Sequence, residues 1–301
     1  MPPGILTSVL MLIAASAMWA GNSVVARAVH QDIEPFTLTV LRWALATVLL
    51  LPFTWRHVWR DWPTIAVSWK PLCALATLSV SVYTSAVYIA AHTTDAINIS
   101  LVGSVTPAAA VLMSWLLIRE RVTWLQSLGF LIGLAGVVAV IARGEVGNLM
   151  GLQVRAGDLV VLVGVFSWAV YSVLLKRHPL ALHPMSLLSV MFVIGTLAIV
   201  PFFAWEAATS GGVHVNGPGL AAILYGAVGT SILCYFFFIR GVQVLGPNRA
   251  NAFGYLSPLF AGLLAVAFLG EPIRIYHLAG FVLICSGVYL TTIGRRSTVA
   301  S

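Results

Sequence analysis

Charge is what this chain has least of: 8% of its 301 residues are Asp, Glu, Lys or Arg, against about 25% in soluble globular proteins. A water-soluble domain of this length needs far more polar surface to cover its core, so that class is excluded. Cysteine is nearly absent as well. Cys73, Cys234 and Cys285 each stand alone in an apolar stretch, and an odd count without CxxC spacing argues against a disulfide framework or a metal site. No HExxH, GxSxG, Walker loop, carboxylate pair or Cys/His cluster occurs, which argues against a membrane enzyme and an ATP-driven pump within this chain. No metal and no cofactor are expected. The formal net charge of +7 does not signify nucleic acid, because the Lys and Arg residues fall in short loops between apolar runs, where they orient membrane helices.

Those apolar runs are what the chain is made of. Hydrophobic residues make up 60% of it and the mean hydropathy is +0.98. Ten segments stand out, at 5–28, 36–54, 71–91, 97–118, 123–142, 157–176, 185–205, 219–240, 250–269 and 275–294. Each is near the roughly 20 residues that cross a bilayer. In hydrocarbon the backbone must satisfy its own hydrogen bonds, so such runs are helices. The expected fold is an all-α integral membrane protein with ten transmembrane helices. Ala15-Ser16-Ala17 imitates a signal-peptidase site, but no basic residue precedes it and the apolar run continues past it; the first segment is read as a retained helix. With the N-terminus in the cytoplasm, eleven Lys and Arg fall inside and four outside, which places both termini in the cytoplasm of a multi-pass inner-membrane protein.

The chain is also written twice. Pro107, Glu120, Gly129, Phe130, Gly136 and Val137 return 151 residues later as Pro258, Glu271, Gly280, Phe281, Gly287 and Val288. Trp19, Ser23, Pro35 and Pro52 return 149 residues later as Trp168, Ser172, Pro184 and Pro201. Such self-similarity marks a repeat architecture, here residues 1–142 and 157–301 joined by a linker at 143–156. Five helices per unit is an odd number, so the second unit enters the membrane from the opposite side. The expected architecture is two inverted five-helix repeats around a central cavity, the plan of many secondary transporters. One chain holds both halves of a pathway, which favours a monomer.

These motifs resemble the drug/metabolite transporter superfamily, in particular its ten-helix EamA-type members. The resemblance rests on small and aromatic residues in the first helix of each unit (SAMWAGNSVVAR, 16–27; GVFSWAVYSVLLK, 164–176) and a proline and arginine opening the second (PFTLTVLRW, 35–43). It rests also on a fourth helix carrying proline and ending in glutamate, and on a Gly-rich fifth. It covers nearly the whole chain. One departure is Met191, which stands where the repeat would place a partner for Arg42. The resemblance implies a secondary transporter of small amphipathic metabolites working by alternating access, and in size and aromatic content the chain is similar to exporters of amino acids, aromatic ones included. Multidrug or other metabolite transport within the same superfamily is the alternative.

Polar residues inside membrane helices are costly and therefore informative. Thr77, Ser81, Thr84, Ser85, Tyr88 and His92 recur at helical steps along helix 3, as the wetted wall of a cavity or as hydroxyls bonded back to their own helix. Asn251 and Tyr255 in helix 9, and Trp19, Asn22, Trp168 and Tyr171 in helices 1 and 6, are the other candidates for cavity lining. Aromatic faces cover an apolar side chain or hold an ammonium by cation–π contact; Tyr and Asn bond a carboxylate. Arg42 either snorkels to the headgroups or meets a substrate carboxylate or an outer acid such as Asp95. Pro107 and Pro258 are candidate hinges. All nine acids fall in loops or at helix ends, which disfavours a carboxylate proton relay and favours facilitated efflux.

Overall fold

The computed structural model describes residues 3–94, 99, 102–120, 122–142, 147, 156–260 and 275–293, and every regular element among them is helical. In the first half, α1 spans Pro3–Ala28, α2 Pro35–Val67, α3 Trp69–Thr93, α4 Thr106–Ile118 and α5 Trp124–Ile141. In the second, α6 spans Ala156–Arg177, α7 Pro184–Thr209, α8 Gly217–Leu245, α9 Pro247–Ala252 and α10 Ile275–Ile293. Among the described residues α1, α2, α3, α6, α7 and α8 are long and apolar enough to cross a membrane, while α4, α5 and α10 are shorter apolar helices. Large side chains such as Phe53, Leu131, Leu197 and Ile275 are exposed along their outer faces, as a lipid-facing surface requires.

The elements recur with the spacing of the motifs. α1 ends at Ala28 and α6 at Arg177, and α2 starts at Pro35 and α7 at Pro184, each pair 149 apart. Both α3 and α8 contain a π-helical stretch, at Thr77–Tyr83 and Gly226–Leu233, whose starts are also 149 apart. A π stretch accommodates extra residues within a helix. The second is eight residues against seven in the first, so beyond it the offset becomes 150. One of the two residues separating the sequence offsets of 149 and 151 is thereby located.

Counterpart helices pack on each other. α2 lies along α7, and each caps the other's start. Glu206, near the end of α7, accepts from the backbone N–H of Phe36 at 3.0 Å and of Thr37 at 2.6 Å. Asp61, near the end of α2, accepts from the His183 N–H at 2.8 Å and the Ser186 hydroxyl at 2.7 Å. The first N–H groups of a helix have no partner within it and carry the positive end of its dipole, so a carboxylate there is favourable twice over. End meeting start in both places makes the two helices antiparallel. α5 and α10 are antiparallel too, in glycine contact: a Cβ on Gly129 would lie 2.8 Å from the Gly287 carbonyl and one on Gly136 2.9 Å from Ile284. Small residues let membrane helices approach this closely.

Three details differ from expectation. α2 continues through Pro52 and Pro63 to Val67 instead of ending near residue 54. The fourth segment is broken by a turn at residues 104–105, so Pro107 sits in the first turn of α4 and not inside a helix; proline is tolerated there because that N–H has no helical acceptor. Pro258 follows a 3₁₀ turn at Phe253–Tyr255. Asp95, Glu271 and most of the 143–156 linker lie outside the described residues.

Candidate functional site

A cavity of about 110 Å³ lies between the two halves, lined by Trp19, Asn22, Arg42, Trp168, Asn251 and Pro258 among others. Two of these are repeat counterparts: the Trp19 and Trp168 rings meet edge to face, centroids 5.2 Å apart. Tyr83 and Phe238 pack on Trp168 at 4.8 Å, and Tyr235 completes the aromatic wall.

Arg42 is the charged member. It is 3% exposed, so the snorkelling alternative does not hold. Its stem lies against Gly226, the first residue of the α8 π stretch, where a Cβ would come within 2.7 Å of Arg42 Cδ. Its Nε donates to Ser231 at 2.8 Å and its Nη1 to the Tyr88 hydroxyl at 2.6 Å. That hydroxyl donates onward to Asn22 Oδ1 at 3.2 Å, which also accepts from Thr230 at 3.3 Å. Trp43 offers its ring face to the guanidinium at 4.9 Å. Among the described residues no carboxylate is within ion-pair distance of Arg42, and its charge is met by neutral groups alone. A second polar chain flanks the first: Trp168 Nε1 donates to Asn251 Oδ1 at 3.1 Å, and Asn251 Nδ2 to Ser172 at 2.9 Å.

The remaining expected residues are placed elsewhere. Ser81 donates to the Gly195 carbonyl of α7 at 2.9 Å. Ser85 is buried outside the cavity lining. His92 sits at the end of α3 against His30, ring centroids 5.9 Å apart. Tyr255 turns to α5, its hydroxyl on the Phe130 carbonyl at 3.3 Å. Tyr171 is fully buried against Trp168, and its hydroxyl has no hydrogen-bond partner among the described residues. Helix 3 disappoints the expectation of one continuous polar face for a physical reason. Ser81 lies inside the π stretch and Tyr88 beyond it, so the regular helical period that would align them is broken and they face different neighbours. The sequence reading missed Ser231, Thr230, Tyr83, Tyr235 and Phe238. Thr230 is the counterpart of Ser81 at the 149-residue offset, a signal that reading helix 8 beside helix 3 would have given.

Towards the opposite end a second cavity, of about 470 Å³, is lined by Glu120, Lys176, His178, Asn248 and Arg249. Lys176 donates to both Glu120 oxygens at 3.1 Å, and Ser114 to Asn248 at 2.8 Å. These bonds tie α4 to α6 and α9.

A bundle of long apolar helices around a polar and aromatic chamber defines a multi-pass membrane protein built to receive a small molecule. The EamA-like transporter family model matches the chain twice, over residues 6–142 and 155–293, and the chain belongs to that family, within the drug/metabolite transporter superfamily. It is 26% identical over 283 residues to an uncharacterized transporter of Archaeoglobus fulgidus, covering 94% of this chain and 96% of that protein. It is 26% identical over 260 residues to protein PecM of Dickeya dadantii (85% and 82% covered). A WAT1-related protein of Arabidopsis thaliana is 23% identical over 310 residues (92% and 82% covered). A solved structure described only as the crystal structure of a protein shares the fold, with a TM-score of 0.75 and 18% identity over 95% of this chain and 96% of that one.

Proposed function

We propose that this chain is a secondary transporter that exports small amphipathic metabolites, amino acids with aromatic or neutral side chains among them. It works by alternating access between two inverted five-helix halves, ten transmembrane helices in all. The observation that carries this is Arg42, a buried cation without a carboxylate partner among the described residues, opening on a chamber walled by Trp19 and Trp168. The guanidinium and Asn22 suit a carboxylate, and the rings suit an apolar body. Support for inversion comes from the antiparallel packing of α2 on α7 and α5 on α10, and from the double match to the family model.

Exchange of two equivalent halves exposes the chamber to one side at a time. With both termini in the cytoplasm, the cavity at Glu120 and Lys176 is the inward approach, and breaking their bond is part of its opening. Pro107 and Pro258, each beside a break in regular helix, act as hinges. None of the described acids lines the chamber, in keeping with efflux down a concentration gradient. Purified protein in liposomes should show counterflow of aromatic and neutral amino acids. Failure of the whole panel to move across vesicles holding folded protein would refute this reading, as would an imposed pH gradient that drives uphill transport for its facilitated form.

A further inference from the structure

The chamber holds a cation and no described anion. Its lining includes the Arg42 guanidinium, the Asn22 and Asn251 amides and the hydroxyl-bearing Tyr83, Thr84, Thr106 and Ser257, but no described carboxylate. Arg42 Nη2 makes no hydrogen bond among the described residues, although Nε and Nη1 are both bonded. Asn22 accepts through Oδ1 from Tyr88 and Thr230, and its Nδ2 makes no hydrogen bond among the described residues. Arg42 Nη1 and Asn22 Oδ1 share the Tyr88 hydroxyl, so the two side chains that carry the unused donors are joined by one hydroxyl group. A buried cation facing neutral groups alone is unfavourable, and an anion that satisfies the leftover donors relieves it.

We propose that the substrate is recognised as an organic carboxylate with net negative charge, held by Arg42 and Asn22, and that an α-ammonium group contributes nothing to binding. This rests on the transporter reading and narrows it. The carboxylate takes Arg42 Nη2 and Asn22 Nδ2, and the apolar body lies on Trp19 and Trp168. An ammonium finds no described acid to pair with, only neutral oxygens and ring faces, and it shares the chamber with the like charge of Arg42. Amino acids are then tolerated as zwitterions, while the corresponding des-amino acids are preferred.

Four probes of one shape test this by calorimetric titration of the full-length protein: 3-phenylpropanoate, 3-phenylpropanamide, L-phenylalanine and phenylalaninamide. The anion should bind at least about tenfold tighter than its neutral amide, the worth of a charge-assisted hydrogen bond. Phenylalanine should bind no tighter than 3-phenylpropanoate, and phenylalaninamide should give no heat of binding. Arg42→Gln should erase the preference of acid over amide; Tyr88→Phe, which keeps the shape and frees Nη1, should retain it. Equal binding of acid and amide, tighter binding of phenylalanine or phenylalaninamide than of the anion, or no binding by 3-phenylpropanoate would each overturn the proposal. Counterflow with the same compounds separates it from the reading beneath it. Binding of the anion without movement of any probe refutes transport and leaves the recognition standing; movement of phenylalanine without preference for carboxylates does the reverse.

Discussion

The two halves of this molecule share a scaffold and differ in what they turn inward. The first half brings Asn22, Arg42 and Tyr88 into one hydrogen-bonded chain. At the equivalent positions, offset by 149, 149 and 150 residues, the second half carries Tyr171, Met191 and Phe238. Tyr171 and Phe238 stack at 6.1 Å, and Met191 is fully buried. The backbone repeats while the side chains at these equivalent positions do not: a buried polar chain in one half answers to buried apolar and aromatic packing in the other. Helix starts and the π stretches recur at the 149-residue offset, while these side chains do not.

The comparison breaks most sharply if a charge is copied across. Met191→Arg puts a charge at a fully buried position and should destabilise the protein by about 3–5 kcal/mol, the cost of a buried unpaired charge; loss of the thermal unfolding transition or of membrane expression measures it. Removing the charge from the first half is next. Arg42→Ala should lower transport about 10- to 100-fold, as loss of hydrogen bonds to a charged group implies, with folded protein still present in the membrane. Full activity would remove Arg42 from the mechanism. Gly287→Ala should cost about 1–3 kcal/mol by overpacking, because its Cβ would fall 2.6 Å from the Gly133 backbone. Tyr171→Phe sharpens the contrast from the other side. It deletes a buried hydroxyl with no described partner, so stability should be unchanged or rise by about 1 kcal/mol, while Asn22→Ala at the counterpart position lowers transport.

The smallest effect concerns the α7 cap. His183 accepts from the Met185 N–H through Nδ1 at 3.3 Å and lies flat on His57, ring centroids 4.0 Å apart. Partial burial first, then His57 and Arg60, hold its pKa below the ordinary 6.5 against the pull of Asp61. The folded state thus prefers the neutral ring. Between its lowered value and 6.5 the unfolded chain binds more proton, so this contribution is complete above pH 6.5 and is lost as the pH falls below it. Unfolding midpoints measured on His183→Asn beside the parent should show a shallower decline on the acid side for the variant.

How far the sequence carried the reading depended on which forces were local. The duplication, the apolar runs, the matching places of Trp19 and Trp168 and the glycines of α5 and α10 all come from residue type and spacing. The faces of α3 and α8 did not, because a π stretch leaves no mark in composition and yet turns half a helix. The length of α2 was hidden as well: Arg56, Arg60 and Asp61 look like a loop, but Pro52 and Pro63 fail to stop the helix and Asp61 is held by α7. Arg42 was legible as an oddity. Its partners were not, since Ser231 comes from a helix 189 residues away in the chain.

The reciprocal capping of α2 and α7 has a mechanical side. Two rods fastened to each other at both extremities resist sliding and splaying, and what remains to them is a small pivot about their crossing. They form a strut across the boundary between the halves, about which the proposed exchange of the halves would turn. A cross-link between the middles of the two should therefore leave turnover intact, whereas one joining α1 to α8 should arrest it.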